Sequence, residues 1–135
     1  MTELNELYRC KICGNIVEVV GSGFGELVCC GKPMEKIEAA KEETMYEKHL
    51  PVLVKTENDK YLIRVGSVEH PMTEEHYIMF IEAVSKDGKY LKRVFLNPKE
   101  KPELDLECVC RHFKAREFCN IHGLYEAELS KEKAD

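Results

Sequence analysis

The chain has no tryptophan, and aromatic residues fill only 8% of its 135 positions. Its hydrophobic fraction of 44% still allows a modest core, so disorder is not expected. Positive charge is in deficit, with 20 Lys and Arg against 25 Asp and Glu and a formal net charge of -5. That balance argues against non-specific nucleic-acid binding, which depends on neutralising phosphates. No run approaches the roughly 20 apolar residues of a membrane helix. Met1 to Leu7 has neither the basic nor the apolar region of a secretory signal. Internal repeats and low-complexity tracts are also missing. The expectation is a soluble, cytoplasmic protein with no nucleic-acid or membrane partner.

Cysteine is plentiful but odd in number, at seven. In a reducing compartment, metal ligation is a better default for these residues than disulfide formation. Cys10 and Cys13 form a Cys-x2-Cys pair, and the vicinal Cys29 and Cys30 follow after fifteen residues. Between them lie an apolar run, Ile16 to Val20, a glycine-rich turn, Gly21 to Gly25, and Leu27-Val28. This pattern predicts two short strands joined by a turn, in a first part spanning residues 1–37. So short a segment cannot bury a sufficient core and needs a metal staple. Neighbouring side chains of an extended chain point opposite ways, so the chain must bend at Cys29-Cys30 for both to reach one ion. Ligand count does not separate iron from zinc at a four-thiolate site.

Residues 38–48 are strongly charged and fit either a helix or a linker that becomes extended ahead of Pro51. From residue 50 onward, strand signals dominate. Val52 to Thr56 and Tyr61 to Val65 flank a polar hairpin loop, Glu57 to Lys60. Further strands are expected over Tyr77 to Val84, Lys89 to Phe95, Leu104 to Val109 and Leu124 to Leu129, with a less regular stretch from Arg111 to Phe118. Short strands at this spacing predict an all-β sandwich or barrel over residues 38–135.

Four of the five histidines and one cysteine fall in three short segments: Glu47-Lys48-His49, His70-Pro71-Met72-Thr73-Glu74-Glu75-His76 and Cys119-Asn120-Ile121-His122-Gly123. His70 and His76 alone are weak signals. Cys119-x2-His122 is stronger, because both side chains could reach one ion from a single turn. Four imidazoles with one thiolate suit a redox metal, whereas structural zinc more often takes thiolates and at most two histidines. Spacing alone leaves a shared site and scattered histidines equally open.

These three segments, in this order, resemble superoxide reductase. Cys10, Cys13, Cys29 and Cys30 in front of them resemble the small iron domain of desulfoferrodoxin, the two-iron form of that enzyme. The resemblance implies a desulforedoxin-like or rubredoxin-like four-cysteine domain followed by an immunoglobulin-like β-barrel. It implies two irons per chain, with zinc also possible at the four-cysteine site. His49, His70, His76 and His122 would be equatorial ligands of the catalytic iron and Cys119 its axial thiolate. The sixth position would be open, and Glu47 could occupy it in the oxidised state. Lys48 would add positive charge at the mouth, beside a ferrous site of net charge about +1 once the thiolate is counted. The implied reaction is reduction of superoxide to hydrogen peroxide, with electrons from rubredoxin or a similar donor, in a homodimer. The alternatives are a rubredoxin-like electron carrier and a zinc-ribbon binding module.

Some residues stand outside this pattern. His112 reads as a surface histidine. Pro71 and Met72 would shape their loop, and Tyr77 would pack. Cys108 and Cys110 share one face of an expected strand, either as buried small hydrophobes or as an intermolecular disulfide or redox-labile pair. The family often carries a tryptophan in the strand after His76, where this chain has Phe80 nearby.

Overall fold

A computed structural model describes residues 1–43, 48–57, 60–67, 70–106 and 112–130. Two compact units emerge, Met1–Glu38 and Ala39–Asp135. The described residues form strands, turns and loops, with no helix among them.

The first unit contains β1 (Leu7–Arg9), β2 (Ile16–Glu18), β3 (Val28–Cys29), β4 (Lys32–Pro33) and β5 (Glu35–Lys36). The two strands expected from the apolar runs exist, but they do not pair with each other. β2 joins β1 and β5 in a three-stranded antiparallel sheet, while β3 pairs with β4 in a hairpin of its own. The second hairpin is made by the bend at the vicinal cysteines. Cys30 has φ 54° and Gly31 φ 75°, so the chain reverses there and β4 runs back along β3. Leu7, Cys10 and Val19 are buried, whereas Val20, Phe24 and Val28 stay exposed. The unit's own core is thin, as its size dictates.

The second unit contains β6 (Pro51–Lys55), β7 (Tyr61–Val65), β8 (Ile78–Ser85), β9 (Leu91–Phe95), β10 (Glu103–Leu106), β11 (His112–Cys119) and β12 (Gly123–Ser130). One antiparallel sheet has the order β10-β7-β6 and the other β12-β11-β8-β9. Both sheets contribute to one core, with Leu53, Ile63 and Leu104 from the first meeting Ile81, Phe113 and Ala115 from the second. Each fully buried large apolar side chain in such a core contributes about 1.5–3 kcal/mol.

One open choice narrows here and one expectation changes. Of the helix and the linker that the charged stretch before His49 allows, residues 39–43 form no helix. Ala40 instead makes a parallel bridge to Tyr125, donating to the Leu124 carbonyl and accepting from the Glu126 amide, both at 2.9 Å. The stretch that reads as irregular from Arg111 to Phe118 contains a regular eight-residue strand, β11. Its alternation is hidden because Arg116 is buried on a charge of opposite sign. Arg93 from β9 and Arg116 from β11 both clamp the fully buried Glu82 of β8 between them. A carboxylate removed from water needs such partners.

Two candidate metal centres

The first centre is local. Cys10 and Cys13 stand at the end of β1, and Cys29 and Cys30 at the end of β3. Their four sulfurs lie within 4.8 Å of one another. Cys13 Sγ is 3.6 Å from Cys29 Sγ, which is 4.0 Å from Cys30 Sγ. A tetrahedron with metal–sulfur bonds of about 2.3 Å has edges of about 3.8 Å, so these sulfurs fit a four-thiolate ion. The backbone N–H of Cys13 points at Cys10 Sγ, 3.5 Å away. This contact leads in drawing the Cys10 thiol down from 9.0 to about 6, whereas hydrogen bonding, first with Cys13, pushes Cys30 up to about 12. A cation binding there displaces the protons that the thiols still carry. Cys13 and Cys30 are exposed, while Cys10 is buried.

The second centre is assembled from distant segments at one end of the sandwich. His49 lies two residues before β6, His70 follows β7, His76 precedes β8, Cys119 ends β11, and His122 lies in the turn into β12. Their donor atoms all lie within 4.8 Å of one another. A register shift opposite Phe118 and Cys119 leaves Met79 as an extra residue in β8 and re-aims the end of β11. Cys119 is fully buried, as is His49, and His70 is nearly so, while His76 and His122 are half-buried.

The imidazoles form a closed ring of edge-to-face neighbours in the order His49, His70, His76, His122, with centroids 4.6–4.9 Å apart. His49 is therefore opposite His76, and His70 opposite His122. His49 Nε2 is 3.0 Å from both His70 Nε2 and His122 Nδ1. Metal–nitrogen bonds of about 2.1 Å give neighbours about 3.0 Å apart in a square and about 3.4 Å in a tetrahedron. The observed spacing is that of a square. Lone pairs this close repel unless a proton or cation lies between them, and His76 Nε2 is buried without any hydrogen-bond partner. Cys119 Sγ lies 3.8 Å from His122 Nδ1, so the sulfur can cap the square. Zinc prefers a tetrahedron, and a square of imidazoles with a thiolate suits a redox-active metal such as iron better. Among the described residues, no sixth donor belongs to this group.

Neighbouring groups orient the ligands. The His70 Nδ1–H donates to the Pro71 carbonyl at 2.7 Å, which leaves Nε2 as the donor to metal. The backbone N–H groups of His49 and Leu50 both donate to Glu43 Oε1, at 2.7 and 3.2 Å. Tyr125 stacks on the His49 ring at 4.5 Å and 12°. The Ile78 amide points at the Met72 sulfur, 3.3 Å away, so Met72 does shape its loop. The His122 amide donates to Cys119 Sγ at 3.4 Å. Glu117, two residues before Cys119, is fully buried with both carboxylate oxygens unpartnered. Burial, and then the charge of Glu43, pushes its carboxyl well above 4.5.

His112 is exposed at the start of β11, apart from the cluster. Lys48 is half-buried next to His49 in the chain. Glu47, Cys108 and Cys110 lie outside the described residues. Glu43, Asn120 and Tyr125 are not apparent as site residues from the sequence, because carboxylates, amides and phenols are common and their spacing to the ligands has no fixed pattern.

The model of the family described as "Desulfoferrodoxin, N-terminal domain" matches residues 2–37, and that described as "Desulfoferrodoxin" matches residues 41–128. The chain belongs to the desulfoferrodoxin family. The desulfoferrodoxin of Syntrophotalea carbinolica is 47% identical over 128 residues, covering 95% of this chain and 99% of that one. Among solved structures, the superoxide reductase from Treponema pallidum matches the fold with a TM-score of 0.69 at 24% identity, over 90% of this chain and 95% of that one. The superoxide reductase (1Fe-SOR) from Giardia intestinalis is 30% identical with a TM-score of 0.50, covering 62% of this chain and 98% of the other. Desulfoferrodoxin relatives thus match both units, whereas the Giardia protein spans only part of the chain.

Proposed function

We propose that this chain is a superoxide reductase. In each turnover, superoxide, one electron and two protons become hydrogen peroxide at an iron held by His49, His70, His76, His122 and Cys119. The observation that carries this reading is the square of four imidazole nitrogens with a buried thiolate beside it. Iron bound there supplies the electron that superoxide accepts.

The chain's own groups do the rest. Neutral imidazoles balance little of the metal's charge, so an anion is attracted to the site despite the net charge of -5. Lys48 adds a cation beside His49, and Glu47, from the same segment, would take the place of the departing product. The Cys119 thiolate lends electron density from a position closed to water, while the half-buried edges of His76 and His122 leave the site in reach of solvent protons. Cys10, Cys13, Cys29 and Cys30 hold a second iron. The electron donor is rubredoxin or a similar carrier, and the working form is a homodimer in the reducing cytoplasm.

The test is to pulse superoxide onto the ferrous chain with and without a rubredoxin-type donor. The expected result is about one peroxide per superoxide, with repeated turnover only when the donor is present. Catalytic oxygen release without a donor identifies a dismutase and overturns the proposal.

A further inference from the structure

Asn120 lies between two ligands in the chain, Cys119 and His122, and it holds both flanks of a third. Its Oδ1 accepts the Tyr77 amide at 2.9 Å, and its Nδ2 donates to the Glu75 carbonyl at 3.0 Å. Its own backbone N–H donates to the Tyr77 carbonyl at 3.1 Å. Glu75 and Tyr77 are the two neighbours of His76, so three hydrogen bonds tie the chain around His76 to the turn that carries the thiolate. These contacts bridge more than forty residues of sequence.

The other ligands are held differently. The His49 ring stacks on Tyr125 and its amide is bound by Glu43, while the His70 ring is fixed by the Pro71 carbonyl. His76 has a local turn, in which its amide meets Thr73 Oγ1 at 3.1 Å, but its Nε2 has no hydrogen-bond partner. That turn sets the conformation of the loop without relating it to Cys119. Asn120 supplies this relation.

We propose that Asn120 is a positioning residue for the metal centre, fixing the His76 imidazole relative to the Cys119 thiolate so that sulfur caps the imidazole square. The proposal rests on the ligand set and not on superoxide as substrate. A chain that holds iron through these five donors but fails to reduce superoxide would overturn the functional reading and leave this one intact.

The experiment uses the full-length, iron-loaded chain with Asn120→Ala and Asn120→Asp. It reads the sulfur-to-iron absorption of the imidazole–thiolate centre and the rate of iron loss to a chelator, with the absorption of the four-thiolate centre in the same sample as internal reference. Asn120→Ala is expected to shift the band and to speed iron loss from the imidazole–thiolate centre about 10–100-fold, as for other groups that orient ligands, with the four-thiolate bands unchanged. Asn120→Asp keeps the acceptor for Tyr77 but sets an oxygen against the Glu75 carbonyl, so it should fall between parent and Ala. Band and release rate unchanged in both variants overturn the proposal. So does a lowered melting temperature with band and release rate unmoved, which marks a purely structural staple. If Asn120→Ala does not fold, the near-isosteric Asn120→Asp decides on the same two readouts.

Discussion

The two metal centres are built on one device. Cys10-Lys11-Ile12-Cys13-Gly14 and Cys119-Asn120-Ile121-His122-Gly123 share a five-residue frame, with a thiolate first, a ligand at the fourth position and glycine fifth. In both, the amide of the fourth residue points at the first residue's sulfur, at 3.5 and 3.4 Å. The closing glycines have φ 84° and 90°, and Ile12 and Ile121 are 59% and 58% exposed. The difference is what completes each site. A nearby hairpin adds two thiolates to the first frame and makes a tetrahedron with two exposed cysteines. Three histidines from the end of a sandwich join the second and make a square above a buried sulfur. The same local turn therefore serves two coordination geometries, and the surrounding fold selects between them.

The largest effect should come from removing one cysteine from each frame. Cys119→Ser is expected to abolish superoxide reduction, because a hydroxyl that stays protonated cannot replace the thiolate donor. Cys13→Ser should spare it, because the second centre has its own complete ligand set. Pulsed superoxide with a donor present measures both. Loss of turnover in Cys13→Ser would instead make the first centre an obligatory relay.

A more even response is expected from the glycines. A Cβ added at Gly14 or Gly123 meets nothing within 4 Å, so Ala there costs only the strain of a left-handed backbone, about 1–2 kcal/mol. Hydrogen exchange of each unit in Gly14→Ala and Gly123→Ala should show this cost locally in both. A neutral result at either glycine would mean that the two frames are not the same device.

The contrast between the centres also explains what is legible in the sequence. The four-cysteine site lies within 21 residues, and the bend required by Cys29-Cys30 appears as the positive φ of Cys30. Spacing is enough for it. The ligands of the imidazole–thiolate centre run from position 49 to position 122, and only a folded sandwich brings them together, so spacing leaves the cluster undecided and a family resemblance is needed. Coordination through His122 Nδ1, when His49 and His70 present Nε2, follows from the tight Cys119 turn and has no sequence signature. Arg116 and Glu117 conceal the regularity of β11, because one is buried on Glu82 and the other is buried without a partner. Asn120 has no sequence signature, because its side-chain partners at Tyr77 and Glu75 lie more than forty residues away.

Both centres also have a lysine adjacent to a ligand, and these should behave differently. Lys11 stands inside the first frame, pairs with Glu35 at 3.1 Å and is highly exposed. Lys48 adjoins His49 at the centre where the anion reacts. Lys48→Ala should slow the second-order reaction with superoxide by up to about 10-fold at low ionic strength, converging on the parent as salt screens the charge. Lys11→Ala should leave that rate unchanged. Equal rates for Lys48→Ala and the parent at low salt would remove steering by this lysine.

The smallest effects concern acid and base, and they have opposite signs in the two units. Glu6 in the first unit is held below 4.5, first by the Glu3 amide and then by Lys36. A depressed carboxyl stabilises the fold above its unfolded pKa and loses that contribution as pH falls through the folded value. Glu117 in the second unit is raised well above 4.5, mainly by burial. Its folded form keeps a proton that the unfolded chain releases, so stability declines as pH rises from about 4.5 toward the folded value. Comparing each variant with its parent at the same pH cancels the proton dependence of the metal ligands. Relative to the parent, Glu117→Gln should therefore gain melting temperature as pH rises above about 4.5. The deficit of Glu6→Gln should shrink below pH 4.5, where the parent's carboxylate is itself being protonated. A flat difference across pH for Glu117→Gln would mean that the buried carboxyl finds a counter-charge in the loaded protein, and the contrast between the units would then rest on their ligands alone.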